Sequence, residues 1–254
     1  MKLSSMFSLQ HIREKIRVRR FVTAVRTLTE LHRFPDRDMS LRRLRARGFE
    51  ARHIFDVGAY EGQNLASVLT FWPEATVVAF EPLDDKATAL RERFRGHAVT
   101  VVGSLVGDKD IEHVTFYADK NAPNASSVHF SQPVGGEKQL LTKRMTRLDT
   151  YIDSAKTPVP NLVQIDTLSF EYQIVKGLGD YLPMVEAIML ELNFIEVFHG
   201  VTLAHEVIDY LGGHGFVMYD VCDIHRRPLD QALWQMDCLF VRADSYLRQN
   251  KNWG

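Results

Sequence analysis

The sequence has 254 residues, of which 45% are hydrophobic and 25% are charged, with a formal net charge of −1. These proportions are typical of a globular chain and exclude the disordered and collagen-like classes. The neutral total also argues against a surface built throughout to bind nucleic acid. Cys222 and Cys238 are too few for a disulfide framework, which favours a reducing, cytoplasmic location. We find no apolar run near the roughly 20 residues of a transmembrane helix.

The neutral total is the sum of two regions of opposite charge. Residues 1–52 carry 14 basic and 5 acidic side chains, whereas the rest of the chain carries 17 and 27. Apolar residues at helical spacing among arginines predict a basic amphipathic helix over 9–34. It either packs on the domain or on a second copy in a homodimer, or it contacts a partner or an anionic membrane surface. A second helix is expected over 39–47, before Gly48. We therefore divide the chain into a helical extension, 1–40, and a main domain, 41–254.

After residue 52, short apolar runs alternate with helical patterns. Buried strands alternating with helices predict an α/β fold with a parallel sheet covered on both faces. Ligands bind such sheets beyond the carboxyl ends of the strands. A polar stretch at 121–136 is expected to be a loop over those ends, either a lid or a disordered segment. The seven predicted strands are 53–58, 76–82, 98–104, 161–166, 187–192, 215–220 and 236–242, and the helical segments between them include 64–71, 84–94, 170–176 and 202–211.

The motif DVGAYEG, at 56–62, joins the first strand to a helix. Gly58 permits a tight turn, Gly62 permits close packing at the start of the helix, and free amides in the loop would favour an oxygen-rich ligand. A dinucleotide loop has the pattern GxGxxG, whereas here Glu61 would repel a diphosphate. The motif therefore favours S-adenosylmethionine, which has no diphosphate, over NAD.

An acidic residue, Glu81, ends the second strand about 20 residues after the glycine loop, where a carboxylate can accept both ribose hydroxyls. Its alternative role is that of a carboxylate at the start of a helix. Ser104 and Leu105 follow the third strand, where an adenine would lie. The predicted cofactor-binding residues are Asp56, Gly58, Ala59, Tyr60, Gly62, Asn64, Glu81, Pro82, Ser104, Leu105 and Asp166.

Six blocks of sequence, in order, resemble the FkbM family of methyltransferases over about residues 41–242. The resemblance implies a class I methyltransferase fold, which is a Rossmann-like, mostly parallel seven-stranded sheet whose last strand is antiparallel, here preceded by N-terminal helices. It also implies S-adenosylmethionine-dependent O-methylation of a carbohydrate or secondary-metabolite hydroxyl, so the partner would be a small-molecule or glycan acceptor. The blocks are DVGAYEG, AFEP, RLDTYID, LVQIDTLSFEYQIVKG, LELNFIEVFHG and LWQMDCLFVR.

Residue by residue, Asp56, Gly58 and Gly62 match the family's cofactor loop, Glu81 matches its ribose-binding acid, and Asp166 matches the aspartate after its fourth strand. Three positions depart from the family pattern. Tyr60 replaces an asparagine, and Leu168 and Ser169 replace a polar residue and a glycine. The last two motivate an alternative: a weakly active or inactive protein that binds S-adenosylmethionine or S-adenosylhomocysteine within a biosynthetic complex.

Methyl transfer to a hydroxyl requires alignment of the oxygen and removal of its proton. The candidate bases are Asp166, Glu171, Glu191 and His199, although Asp166 is equally suited to hold the cofactor's amino group. Asp166, Glu191 and Asn193 also form an oxygen-rich set that suits Mg²⁺, but hydrogen bonding among them is the favoured explanation. The histidines form no zinc motif, and no metal ligand is assigned.

Overall fold

The computed structural model describes residues 35–119, 126–128 and 138–253. The amphipathic helix predicted over 9–34 and most of the loop predicted over 121–136 lie outside these ranges. Among the described residues, we find no helix that is both long and apolar enough to cross a bilayer.

The main sheet has seven strands, and each overlaps one of the seven predicted apolar runs, although β9 extends beyond its predicted end and β10 begins before its predicted start. Its strands are β1 (His53–Val57), β2 (Thr76–Phe80), β3 (Val99–Val102), β7 (Leu162–Ile165), β8 (Ala187–Asn193), β9 (Phe216–Arg226) and β10 (Leu233–Arg242). They lie in the order β3-β2-β1-β7-β8-β10-β9. β10 is antiparallel to both β8 and β9, whereas the other neighbouring pairs are parallel. This topology confirms the predicted fold class.

Helices cover both faces of the sheet because its strands carry apolar side chains on both sides. The first face is covered by α1 (Arg37–Ala46), α2 (Gln63–Phe71) and α3 (Asp84–Arg93). The second face is covered by α4 (Leu148–Ala155), α5 (Glu171–Lys176), the 3₁₀ turn Gly179–Met184 and α6 (Ala204–Gly213). Along β1, Ile54 packs on the first face while Phe55 and Val57 pack on the second, as the two-residue period of a strand requires. A further 3₁₀ turn spans Tyr246–Arg248.

The helix α1 begins two residues before its predicted start and extends across the predicted domain boundary at residue 40. Asp36 caps it by accepting a 2.8 Å hydrogen bond from the amide of Met39. Its apolar side, including the fully buried Leu41 and Leu44, packs on the sheet. Arg43 fixes the helix to β9 through an ion pair of 2.5 Å with Asp220.

A second, three-stranded sheet was not predicted. It consists of β4 (Leu105–Val106), β5 (Ile111–Asp119) and β6 (Lys138–Thr146), in the order β4-β6-β5. The chain passes from β3 into β4 within two residues, so the small sheet lies beside the carboxyl end of β3. Phe116 and Met145 form its buried side.

The turn after β1 brings the backbone of Gly58 against the end of β7. The φ angle of Gly58 is +83°, and a Cβ at this position would lie 2.0 Å from the carbonyl oxygen of Asp166. The Asp166 amide donates to the carbonyl oxygen of Val57 at 2.9 Å, which fixes the close approach of the ends of β1 and β7. Only glycine satisfies both the angle and the spacing.

We predict that Gly58→Ala lowers the free energy of unfolding by about 2 to 4 kcal/mol, because the methyl group must displace backbone and the φ angle is unfavourable. Urea unfolding measures this change. Gly103→Ala is the matched control, because a Cβ at Gly103 meets nothing within 4 Å and its φ is not in the left-handed region. Equal stability of the two variants would refute the close approach.

Candidate functional site

A cleft lies at the carboxyl ends of β1, β2 and β7, between the large and the small sheet. Seven of the predicted cofactor residues line it: Gly58, Tyr60, Glu81, Pro82, Ser104, Leu105 and Asp166. Residues that were not predicted complete its walls, chiefly Phe80, Leu83, Phe116, Val128, Thr167, Leu168 and Phe170. The cleft therefore combines apolar walls with a few polar groups, as sites for small organic ligands do.

The carboxylate of Glu81 is the most strongly constrained polar group of the cleft. One of its oxygens accepts a hydrogen bond from the amide of Tyr60 and the other from the amide of Leu83, each at 2.8 Å. The residue is 4% exposed. Burial raises the pKa of Glu81, while the two amides act in the opposite direction. This carboxylate has a fixed orientation and retains lone pairs for a ligand hydroxyl.

The glycine loop uses its amides within the protein. Gly58 and Ala59 both donate to the carbonyl oxygen of Phe80, at 3.0 and 3.1 Å. Tyr60 donates to Glu81, and Gly62 donates to Ala59 at 2.7 Å. The expectation that these four amides are free for a ligand is wrong, because the loop is tied to the end of β2. These four amides are therefore not available to a diphosphate.

Glu61 does not repel anions as strongly as its position in the loop suggested. Its carboxylate accepts a 2.6 Å hydrogen bond from Lys86, and this contact lowers the pKa of Glu61. The ion pair offsets the negative charge of Glu61, so repulsion by this residue is a weak argument against a diphosphate.

Four predicted cofactor residues do not line the cleft. Ala59 is 4% exposed and packs in the core, and Gly62 approaches Phe94 so closely that a Cβ would lie 2.5 Å from the ring. Asn64 donates to the Asp166 carboxylate at 2.9 Å. Asp56 is 1% exposed, on the strand below the loop. Their local contacts support the loop that carries Gly58 and Tyr60.

Burial raises the pKa of Asp56 to about 7, and the neighbouring Arg37 opposes this rise. One carboxylate oxygen of Asp56 has no hydrogen-bond partner among the described residues. Ionising such a group in the folded protein is unfavourable because neither water nor a donor compensates the charge. Asp56 is thus a buried, proton-binding group beneath the glycine loop.

The loop after β7 is held by Glu171, a candidate base that is itself buried. The Oε1 atom of Glu171 accepts hydrogen bonds from the amides of Thr167 and Ser169, at 3.2 and 3.1 Å. Burial raises the pKa of Glu171 to about 7. Glu171 does not line the cleft, and its contacts serve to shape the loop. Asp166, at the start of this loop, is exposed and does line the cleft.

Leu168 and Ser169, the two departures from the family pattern, have left-handed backbones with φ angles of +50° and +81°. Ser169 is 2% exposed, and its hydroxyl has no hydrogen-bond partner among the described residues. A glycine at position 169 would adopt this angle without strain. The backbone has therefore kept a glycine-type turn although the glycine is absent.

Glu191 lies on β8, in an acidic group next to the cleft but not on its wall. Burial raises the pKa of Glu191 well above its usual value, with neighbouring carboxylates adding to the effect. Gln235 donates to Glu191 and also to Asn193, the latter at 3.1 Å. Hydrogen bonding thus accounts for Glu191 and Asn193, two of the three residues considered for Mg²⁺.

One group among the described residues could hold a metal, and it differs from the predicted set. Ligand atoms of Glu191, His225 and Asp237 lie within 4.8 Å of one another. The guanidinium group of Arg37 lies 3.5 Å from the Asp237 carboxylate, so a positively charged side chain already contacts this group. His199, the remaining candidate base, lies in the loop after β8 with 95% of its side chain exposed and a 3.6 Å contact to Glu196. Its catalytic role stays a prediction, as does that of Glu191.

Comparison with known proteins identifies the family of the domain that contains this site. The model of the methyltransferase FkbM domain matches residues 56–218, from the glycine loop to β9. The chain belongs to the FkbM methyltransferase family. Within this methyltransferase domain lie Glu81, Asp166 and the small sheet that closes the cleft. The helix α1 lies outside the matched region.

A curated relative is the hexuronic acid methyltransferase AglP of Haloferax volcanii, 25% identical over 146 residues. The match covers 55% of this chain and 55% of AglP, so the chain spans about half the length of that relative. Among solved structures, the precorrin-6y C5,15-methyltransferase of Geobacter metallireducens is 12% identical with a TM-score of 0.43, covering 81% of this chain and 87% of that one. The 1,6-didemethyltoxoflavin-N1-methyltransferase of Burkholderia thailandensis is 14% identical with a TM-score of 0.42, covering 92% and 90%.

The sequence missed the apolar walls of the cleft, although β5 carries a usable signal. Val114, Phe116 and Ala118 alternate with residues of the opposite face, which is the two-residue period of a strand. Ser126 and Val128 also line the cleft, and they belong to the polar stretch at 121–136 that was predicted to lie over the strand ends.

We predict that Ser169→Gly raises the free energy of unfolding by about 1 kcal/mol, because it relieves the left-handed strain and removes a buried, unpaired hydroxyl. Thermal or urea unfolding measures the gain. Ser154→Gly is a control of opposite sign, because Ser154 is exposed within α4, where glycine weakens a helix. A loss of stability in Ser169→Gly would contradict this description of the loop.

Asp56 should make stability depend on pH. Its pKa is about 7 in the folded protein, raised from an ordinary value of 3.8. Its contribution to the free energy of unfolding is therefore fully present below about pH 4 and is lost as the pH rises to 7. Relative to the native protein, Asp56→Asn should gain about 2 kcal/mol of unfolding free energy between pH 5.5 and pH 8. Urea titrations at both pH values measure the gain. Asp209→Asn, at an exposed position on α6, is the control that should show no such gain.

Proposed function

We propose that this protein is an S-adenosylmethionine-dependent O-methyltransferase acting on a hydroxyl of a carbohydrate or secondary metabolite. The observation that carries the proposal is the oriented, buried carboxylate of Glu81, which lies in a cleft whose glycine loop has four amides bonded within the protein. Membership of the FkbM family supports the reaction type. The name of AglP, a hexuronic acid methyltransferase, supports a sugar-like acceptor.

The residues present fit the cofactor's chemistry. Glu81 would accept the ribose hydroxyls, and the apolar walls around Leu105, Phe116 and Phe170 would enclose the adenine. The exposed carboxylate of Asp166 would hold the amino group of the methionine moiety or accept the proton of the acceptor hydroxyl. When bound, S-adenosylmethionine supplies a methyl group on a sulfonium centre.

The protein's part in the transfer is alignment and proton removal. Asn64 donates a hydrogen bond to the Asp166 carboxylate, so this carboxylate is already oriented before a ligand binds. Glu171 fixes the backbone of Thr167 and Ser169, which lie between Asp166 and α5. This support shapes the wall against which an acceptor would lie.

Leu168 supports a second candidate: a protein that binds S-adenosylmethionine or S-adenosylhomocysteine with little turnover. Its side chain gives the cleft an apolar group where the family pattern has a polar one. Assays of methyl transfer with a panel of sugar and natural-product acceptors separate the two candidates. Transfer to any of them supports the enzyme, whereas tight cofactor binding without transfer supports the second candidate.

We expect Glu81→Gln to weaken binding of S-adenosylhomocysteine by about 1 to 3 kcal/mol, because the amide loses the charge and one acceptor oxygen. Isothermal titration calorimetry with S-adenosylhomocysteine, S-adenosylmethionine and NAD measures this loss and tests the choice of cofactor. Asp84→Asn is the control, because that carboxylate is 87% exposed and pairs with Lys143 outside the cleft. Binding of NAD in preference to both other ligands would contradict the proposal.

A further inference from the structure

Tyr60 lies on the wall of the cleft with an unusual backbone. Its φ angle is +46°, in the left-handed region that glycine and asparagine adopt more readily than an aromatic residue. Strain of this kind persists where the surroundings impose it, and such positions cluster at functional sites. We therefore expect the contacts of the aromatic ring to offset the strain of the Tyr60 backbone.

Two contacts impose this position. The Tyr60 amide donates to Glu81 at 2.8 Å, which fixes the backbone. The Lys86 Nζ atom lies 4.5 Å from the centre of the Tyr60 ring and also donates to Glu61 at 2.6 Å. With 18% of its side chain exposed, Lys86 is partly shielded from water, which strengthens the attraction between the cation and the ring. Lys86 thereby holds the ring beside the carboxylate of Glu81.

We propose that the Tyr60 ring packs against the bound nucleoside cofactor and that Lys86 is a positioning residue that acts through this ring. The inference rests on the proposed function, because it takes S-adenosylmethionine as the ligand of the cleft. Tyr60 and Glu81 both line the cleft and are joined by a hydrogen bond, so a nucleoside with its ribose at Glu81 lies within reach of the half-buried Tyr60 side chain. Contact between the ligand and the ring then offsets the backbone strain of Tyr60 that is present in the free protein.

The experiment combines calorimetry with S-adenosylhomocysteine and thermal unfolding of the ligand-free protein. Tyr60→Asn should raise the melting temperature by about 1 to 3 °C, because asparagine tolerates the backbone angle, yet weaken binding at least about 5-fold. Tyr60→Phe keeps the ring and should bind within about 2-fold of the native protein. Lys86→Met should weaken binding by about 2- to 10-fold, and by nothing further when Tyr60 is already asparagine.

Lys143→Met is the matched control. Its Nζ atom pairs with Asp84 at 2.9 Å, and the side chain is 12% exposed, but Lys143 does not line the cleft. It should bind S-adenosylhomocysteine with native affinity. A structural role for Tyr60 would lower the melting temperature in Tyr60→Asn, and that result would overturn the proposal. Unchanged binding in both Tyr60→Asn and Lys86→Met would overturn it too. Failure of the native protein to bind S-adenosylhomocysteine would instead remove the proposed function beneath it.

Discussion

A buried carboxylate joins the two loops that form the cleft. Glu81 ends the β2 segment, and its oxygens accept from Tyr60 in the loop after β1 and from Leu83 before α3. An unpaired buried charge is costly, so these amides and the carboxylate constrain one another. The positions of the Tyr60 ring, the glycine loop and the cleft wall all follow from this arrangement. The same group is the one that a ribose would meet.

Beyond Glu81, the carboxyl edge of the sheet collects acidic groups that burial keeps protonated more readily than water would. The pKa values of Asp56 and Glu171 rise to about 7, and that of Glu191 rises well above its usual value. Arg37, from the helix α1, reaches this group through Gln164 at 3.3 Å and Asp237 at 3.5 Å.

Much of this architecture could be predicted from the sequence, because strands buried on both faces and short motifs in a fixed order are local signals. All seven strands of the main sheet and the position of Glu81 belong to this class. The small sheet was missed because β4 has only two residues and the segment between β5 and β6 is polar. The occupied amides of the glycine loop were also missed. They depend on pairing with Phe80, a contact over more than twenty residues that no local pattern reveals.

At Leu168 and Ser169, the backbone conformation could not be predicted from the sequence. The sequence identified both as unusual, but their left-handed backbones are visible only in the structure. Glu171 accounts for this conformation, because its carboxylate holds the amide of Ser169 at 3.1 Å. A glycine-type turn is therefore maintained by a buried hydrogen-bond acceptor, at a cost in strain that the substitution at position 169 would expose.

A crystal structure of the protein with S-adenosylhomocysteine would show whether Glu81 holds a ribose. We expect the ribose hydroxyls within hydrogen-bonding distance of Glu81, with the adenine between the walls formed by Leu105 and Phe170. A nucleoside bound elsewhere, or bound in the cleft with its ribose turned away from Glu81, would contradict it.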